Sequence, residues 1–346
     1  MRAMHSLIST RKGLAVTAGI VVFMTGIAVL KLHASGFFAA NEVENGTLVG
    51  NVVQVTDASA SGGKAVQFNA PASGGGGSSG SSCALPKYPS PGCTGVPAGT
   101  SLTIYNGDYE ARTNGETINA KHITGNLLIL ANNVTITNSE IDGTIYNDQG
   151  SLHGSFTVTD TTIGPATGCI GQPAINDSNY TARRVRSRGH DDGFRIGPPG
   201  NVYVYDSYVD NCYLPPAQAP PDGSHSDGVQ AVCAGESCAN VTIVHNTFDG
   251  THVPTTNMLN LSDNALSNVT ATDNLLTGGG YTVDAWWHSG AKWIFTNNRF
   301  VNGSWAYGPV STESTCGNQT WSGNTRVTID ASYNVTSTVG AQDCVD

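Results

Sequence analysis

Charge and helical patterning are both scarce in this chain. Asp, Glu, Lys and Arg supply only 12% of its 346 residues. From residue 119 onward no segment repeats apolar positions at helical spacing, which argues against a helical domain there. No Cys-x-x-Cys pair occurs, so zinc-ribbon and thioredoxin-like readings have no support. No glycine-rich nucleotide loop leads into a helix, and no Gly-x-Ser-x-Gly turn marks a serine nucleophile. Lys and Arg number 16 against 26 Asp and Glu, a net charge of −10. Arg2, Arg11, Lys12 and Lys31 lie in the first 40 residues, which hold no acid, so the rest carries −14. That field disfavours nucleic acid as a partner, tolerates neutral glycans and attracts divalent cations.

What is present begins with one long apolar run. Leu14 to Leu30 is flanked by Arg11-Lys12 and Lys31. As a helix it spans roughly 25 Å, just short of a hydrocarbon core and longer than the usual apolar region of a cleaved leader. Residues 1–36 therefore read as a signal anchor with the basic end inside, or as a signal peptide cut after Ala34-Ser35-Gly36. Either way the bulk of the chain is expected at the cell surface or outside the cell. It meets the membrane only through that helix if it stays uncleaved. The even number of cysteines, eight, then favours disulfides. Sequence proximity suggests Cys83–Cys93 and Cys233–Cys238, which leaves Cys169–Cys212 and Cys316–Cys344.

Residues 37–69 form a short β segment. Asn41-Glu-Val-Glu-Asn-Gly-Thr-Leu48 and Asp57-Ala-Ser-Ala-Ser-Gly-Gly-Lys-Ala-Val-Gln-Phe68 resemble the opening strands of β-sandwich carbohydrate-binding modules. A sandwich needs roughly 100 residues, so the segment reads as a remnant or spacer and sugar binding is not carried over. Residues 70–82 are a Gly/Ser linker by composition. The main domain spans 83–346.

Within it a ten-residue pattern recurs. It starts at 133 (NVTITNSEID), 155, 177, 201, 240 (NVTIVHNTFD), 268, 292 and 318, with a register at 177 open by two residues and a weaker copy over Ile118 to Gly125. Each copy alternates apolar and polar residues and reads as a strand. Most intervals are 22–28 residues, whereas 201 to 240 takes 39. Strands at so regular an interval indicate a solenoid, with about 22 residues per coil and parallel strands stacked about 4.8 Å apart. The seventh-position asparagines Asn246, Asn274, Asn298 and Asn324 are expected to stack as a column of amides. The sequons at Asn133, Asn240 and Asn268 read as turn and ladder chemistry rather than glycan acceptors.

The segments Thr94-Gly-Val-Pro-Ala-Gly-Thr100, Asn133-Val-Thr-Ile, His225-Ser-Asp-Gly-Val-Gln230, Gly278-Gly-Gly-Tyr281 and Asn298-Arg-Phe300 are similar to those of one family. Residues 94–346 resemble the right-handed parallel β-helix proteins of the pectate-lyase-like superfamily, in particular a bacterial secreted group. The resemblance implies an all-β, right-handed parallel β-helix. It does not select among lyases, hydrolases, epimerases, esterases and non-catalytic adhesins. The carboxylate, Gly-His-Gly and Arg-x-Lys set of the polygalacturonases is not present in full.

Two runs concentrate the chemistry. His190-Asp191-Asp192-Gly193-Phe194-Arg195 and His225-Ser226-Asp227-Gly228-Val229-Gln230 share one pattern, 35 residues apart. Stacking Gly193 on Gly228 would set Asp192 and Asp227 one rung apart. Two carboxylates that close raise a pKa, pair with Arg195 or hold a calcium ion. The long insertion before His225 adds weight, because insertions on a solenoid gather on its binding face. Asp-Gly pairs also serve as plain turns, as at Asp222-Gly223.

Asp192, Asp227, His225, Asp191 and His190 are the catalytic candidates. Arg195, Gln230, Arg186, Tyr281 and Trp286 are the substrate-binding ones. Arg184, Arg186 and Arg188 alternate as if on one strand face, to grip uronate carboxylates or to pair with Asp191 and Asp177. Tyr281, Asp284, Trp286, Trp287 and His288 form an aromatic patch suited to sugar rings or to capping the solenoid. His245 and His252 carry no diagnostic metal spacing, and no dedicated metal ligands are assigned. The expectation is a monomeric polysaccharide-active protein, either a hydrolase using Asp192 and Asp227 or a uronate lyase using the arginines and a cation. The alternative is a glycan-binding or adhesin-type surface protein without catalysis.

Overall fold

The computed structural model describes residues 52–56, 64–68, 83–147, 153–214, 217, 224–251 and 257–345. The apolar run at 14–30, the linker at 70–82 and His252 lie outside them. No helix among the described residues is long and apolar enough to cross a membrane. The chain divides into two units, Met1–Gly77 and Ser78–Asp346. In the first, Val52–Thr56 pairs antiparallel with Lys64–Phe68.

The second unit is a parallel β-solenoid. Its strands fall in strict rotation into three sheets of nine, nine and eleven strands. One coil shows the rule. Phe194–Ile196 lies in sheet I, Gly200–Tyr205 in sheet II and Tyr208–Asn211 in sheet III. The next coil repeats it with Val229–Ala231, Cys238–Val244 and Thr247–Gly250. All pairings between coils are parallel until Val335–Ala341 folds back antiparallel on Thr325–Ile329 in sheet III.

Each ten-residue repeat is two strands rather than one. The first belongs to sheet II and the second to sheet III, joined at the sixth position. The residues there, Asn138, Asp160, Arg184, Asp206, His245, Asp273 and Asn297, all take φ between 50° and 57°. A left-handed residue turns the chain sharply, and Asn and Asp adopt it at lowest cost. The inward positions shift by one residue across the turn, from Val134 and Ile136 to Ser139 and Ile141, but alternation holds on each side, so the ten residues read as one strand. The third repeat starts at Asn179 rather than 177, because Tyr180 pairs with Phe156 and with Val202. The weaker early copy is real, with Thr117–Asn119 pairing against Val134–Thr137.

The core follows from inward alternate positions. Val134, Phe156, Tyr180, Val202, Val241, Val269 and Trp293 form one buried column of sheet II. Ile141, Ile163, Val209, Phe248, Leu276 and Phe300 are buried in sheet III. Each such side chain contributes about 1.5–3 kcal/mol. The seventh-position column holds as expected. Asn246 donates its amide to Asn274 at 3.0 Å, Asn274 to Asn298 at 3.0 Å and Asn298 to Asn324 at 3.1 Å. A second, exposed ladder runs through first positions, from Asn268 to Asn240 to Asn201 to Asn179. This accounts for the sequons at 240 and 268 as turn chemistry.

The four expected disulfides are all formed, Cys83–Cys93, Cys169–Cys212, Cys233–Cys238 and Cys316–Cys344. They are compatible with an extracellular protein. The segment from Cys83 to Val96 crosses sheet III as a strap. Tyr88 packs with Leu275 and Val327, and Gly95 donates its N–H to the Arg184 carbonyl.

Candidate functional site

The two His-and-Asp-bearing runs meet on sheet I. Phe194 pairs with Val229 and Arg195 with Gln230, so Gly193 stacks on Gly228. Gly193 donates to the Asp227 carbonyl at 2.8 Å, and Phe194 to that of Gly228 at 3.0 Å. A Cβ on Gly193 would collide with the Gly228 carbonyl oxygen, which is why glycine follows the aspartate at this rung. Asn211, in the sheet III strand of the first coil, ties both runs together. Its amide donates to the carbonyls of Asp191 at 2.5 Å and Asp227 at 3.1 Å.

Two aligned columns run along sheet I, a largely buried one at the entrance to its strands and one on its outer face. One runs Asp192, Asp227, Asn257, Tyr281; the other runs Arg195, Gln230, Asn260, Asp284, Ser311. Asp192 sits where they meet. Its Oδ1 accepts the Asp227 N–H at 2.9 Å, and its Oδ2 faces the Arg195 guanidinium at 3.5 Å. Arg195 also donates to Gln230 Oε1 at 3.0 Å. Burial pushes the Asp192 carboxyl up, opposed by the Asp227 N–H and by the charges of Arg195 and His225. Asp191 lies beside it, pushed up to about 6 by burial and by the Asp192 charge. A carboxylic acid that keeps its proton near neutral pH is a candidate general acid. Half-buried His225 acts electrostatically on Asp192 and completes the cluster.

Asp227 has a different environment. It is fully buried. Its Oδ1 accepts the Asn257 N–H at 2.7 Å and its Oδ2 the Asn260 amide at 2.9 Å. It caps the backbone of the next coil, as Asp192 caps that of Asp227. The oxygens of Asp192 and Asp227 are both engaged by such donors, and Asp191 Oδ1 accepts the Asp192 N–H at 2.9 Å, so this cluster has the partners of a capped pair rather than of a calcium site. His190 is buried at the end of its strand, Arg186–His190, with Nδ1 on the Gln172 carbonyl at 2.8 Å. Burial brings it down to about 4, so it is a neutral imidazole inside the wall.

The arginines separate. Arg184 occupies the left-handed turn and not a strand, so it does not share a face with Arg186 and Arg188. It forms a bidentate pair with Asp160 at 2.6 and 2.8 Å. Arg183 pairs with Asp206 and Arg188 with Glu140, rather than with Asp191 or Asp177. Arg186 lies on sheet III, away from Arg195 on sheet I. Tyr281 is 37% exposed in the Asp192 column, and Tyr307, 80% exposed, lies 5.9 Å from it by ring centroids. Half-buried Trp286 follows the Asp284 strand, where burial pushes the Asp284 carboxyl up.

Asn211 and Asn260 were not among the sequence-derived site residues. Aligning the sheet I strands of successive coils would have named Asn260, since it holds the register of Gln230. Asn211 carries no local signal. No protein-family model, curated protein or solved structure matches this chain.

Proposed function

We propose that this chain is an extracytoplasmic, polysaccharide-active β-helix protein that cleaves a glycan along the outer face of sheet I. The observation that carries this is the grouping of Asp191 and Asp192, both with raised carboxyl pKa, against Arg195, Gln230 and His225. The exposed rings of Tyr281 and Tyr307 further along the same face suit sugar stacking. The right-handed, pectate-lyase-like architecture is part of this reading, supported by the rotation of parallel strands through three sheets. Glycoside hydrolysis fits better than uronate elimination. Arg183, Arg184 and Arg188 are paired to acids elsewhere, which leaves Arg195 as the cation beside the carboxyls. Asp191 or Asp192 is then the acid that protonates the leaving oxygen.

The test is Asp192→Asn against a panel of neutral and acidic polysaccharides. The wild type is expected to release reducing ends, and the variant to lose at least about 100-fold in rate with an unchanged melting temperature. A wild type that cuts no member of the panel defeats the enzymatic reading.

One observation favours a second reading, a glycan-binding surface protein without catalysis. Asp192 and Asp227 each cap a backbone N–H of the following coil, a role that the fold alone requires. Binding to the panel without cleavage would be its signature.

A further inference from the structure

A separate set of side chains gathers on the outer face of sheet III, near the start of the solenoid. His122 on Lys121–Ile123 is the lateral partner of Glu140 on Glu140–Ile141, and Asp142 follows two residues on. One ligand atom from each lies within 4.8 Å of the others. His122 Nε2 faces both Asp142 oxygens, at 3.0 and 3.1 Å. All three residues are partly buried, with side-chain exposures of 28% for His122, 32% for Asp142 and 25% for Glu140.

A ring nitrogen aimed between two carboxylate oxygens needs a proton or a metal ion between them. In the simplest case that is the proton of the imidazole. A metal ion meets the same need when the ring is neutral and its Nε2 lone pair faces inward. Two ligands each about 2.1 Å from a tetrahedral ion lie about 3.4 Å apart. The observed His122–Asp142 separations need open by only a few tenths of an ångström. Glu140 would complete the set from the neighbouring coil, and the ladder between coils holds it in place. Its Oε1 accepts from Arg188 Nη2 at 2.5 Å, while Arg188 Nε donates to the Gly164 carbonyl at 3.2 Å. That brace holds the carboxylate as an outer-shell partner would, and Oε2 is then the donor for an ion.

We propose that His122, Glu140 and Asp142 form a binding site for a divalent transition-metal ion, with zinc best matched by the donors. One imidazole and two carboxylates suit zinc better than calcium, which takes six to eight oxygens. Three protein ligands leave a fourth position open to solvent or to an exogenous group. The site is independent of the Asp192 cluster, which lies on another sheet.

The experiment is titration of the full chain with ZnCl2 by calorimetry, with CoCl2 absorption as a geometric probe. We expect one saturable site and the visible bands of four-coordinate cobalt. His122→Ala and Asp142→Asn should each weaken binding at least tenfold, and Glu140→Gln several-fold. His122→Gln, which keeps the size of the side chain, guards against a folding defect in His122→Ala. The proposal fails if no saturable binding appears, if cobalt shows only its six-coordinate aqueous spectrum, or if the affinity is indifferent to both His122 variants.

Discussion

His245 donates from Nδ1 to Asp206 Oδ1 at 2.8 Å while its Nε2 faces the Lys87 carbonyl at 2.9 Å. Both partners are acceptors, so only the doubly protonated ring satisfies both. Burial works against that charge, but the Asp206 and Lys87 hydrogen bonds outweigh it and the pKa is raised. The imidazolium sits in a left-handed turn of sheet III and fastens the strap that begins at Cys83. The groups around it are Asp206 with its partner Arg183, the Asp273 charge and the ring of Tyr88.

The strap should therefore loosen with rising pH. A raised folded pKa means that this stabilisation is complete below the unfolded value of about 6.5. It is lost as pH climbs through the higher folded value. Hydrogen exchange or limited proteolysis over residues 83–96 should rise across that window in the wild type. His245→Asn should show a loosened strap at all pH values, at a cost of about 1.5–3 kcal/mol for the lost charged bonds. A flat wild-type profile would contradict the latch.

Asp191 predicts a trend confined to a more acidic window. Its folded pKa of about 6 lies above the usual carboxylate value of about 3.9. Between those values the unfolded chain ionises first, so stability falls as pH rises and levels off above about 6. Asp191→Asn should remove this component, which chemical denaturation from pH 3.5 to 7.5 would read. If Asp191 is the general acid, the rate limb that falls with rising pH should vanish in the same variant.

Asp227 and Asp192 should separate by readout. Asp227→Ala strips acceptors from the buried Asn257 N–H and from the Asn260 amide, and should cost about 2–4 kcal/mol in denaturant unfolding. Asp227→Asn keeps one oxygen and should cost less. An Asp227→Ala protein as stable as wild type would mean that the coil does not depend on this cap.

The interior amide ladder should outweigh the exterior one. Asn274 donates to the Ile243 carbonyl at 2.9 Å and to Asn298, and it accepts from Asn246, all in buried surroundings. Asn274→Ala should cost about 2–4 kcal/mol, because it strands buried partners. Asn268→Gly tolerates the positive φ and loses only a solvent-exposed amide contact, so less than about 1 kcal/mol is expected. Thermal or urea melts of the pair decide this, and equal losses would contradict it.

Much of the solenoid is legible locally. The interval between repeats, the apolar alternation and the recurring asparagine are each imposed by stacking one coil on the next, so they leave a periodic trace. The cysteine pairing followed because short separations close first. Gly193 over Gly228 was readable for the same reason, since matched runs in neighbouring coils share a register. The break inside each repeat was not, because one left-handed residue preserves the two-residue alternation on either side. The arginines misled because an alternating triplet looks like one face until Arg184 is seen in the turn.

The amino-acid sequence by itself determined the coil, the stacking of Gly193 on Gly228 and the address of the Asp192 cluster, because these depend on residues repeating at the solenoid period. Only the tertiary structure decided which carboxylate is a buried cap and which meets Arg195, which acids neutralise the arginines, and that His122, Glu140 and Asp142 converge. Burial and hydrogen-bond partners come from neighbouring coils and turns, and no single segment encodes them.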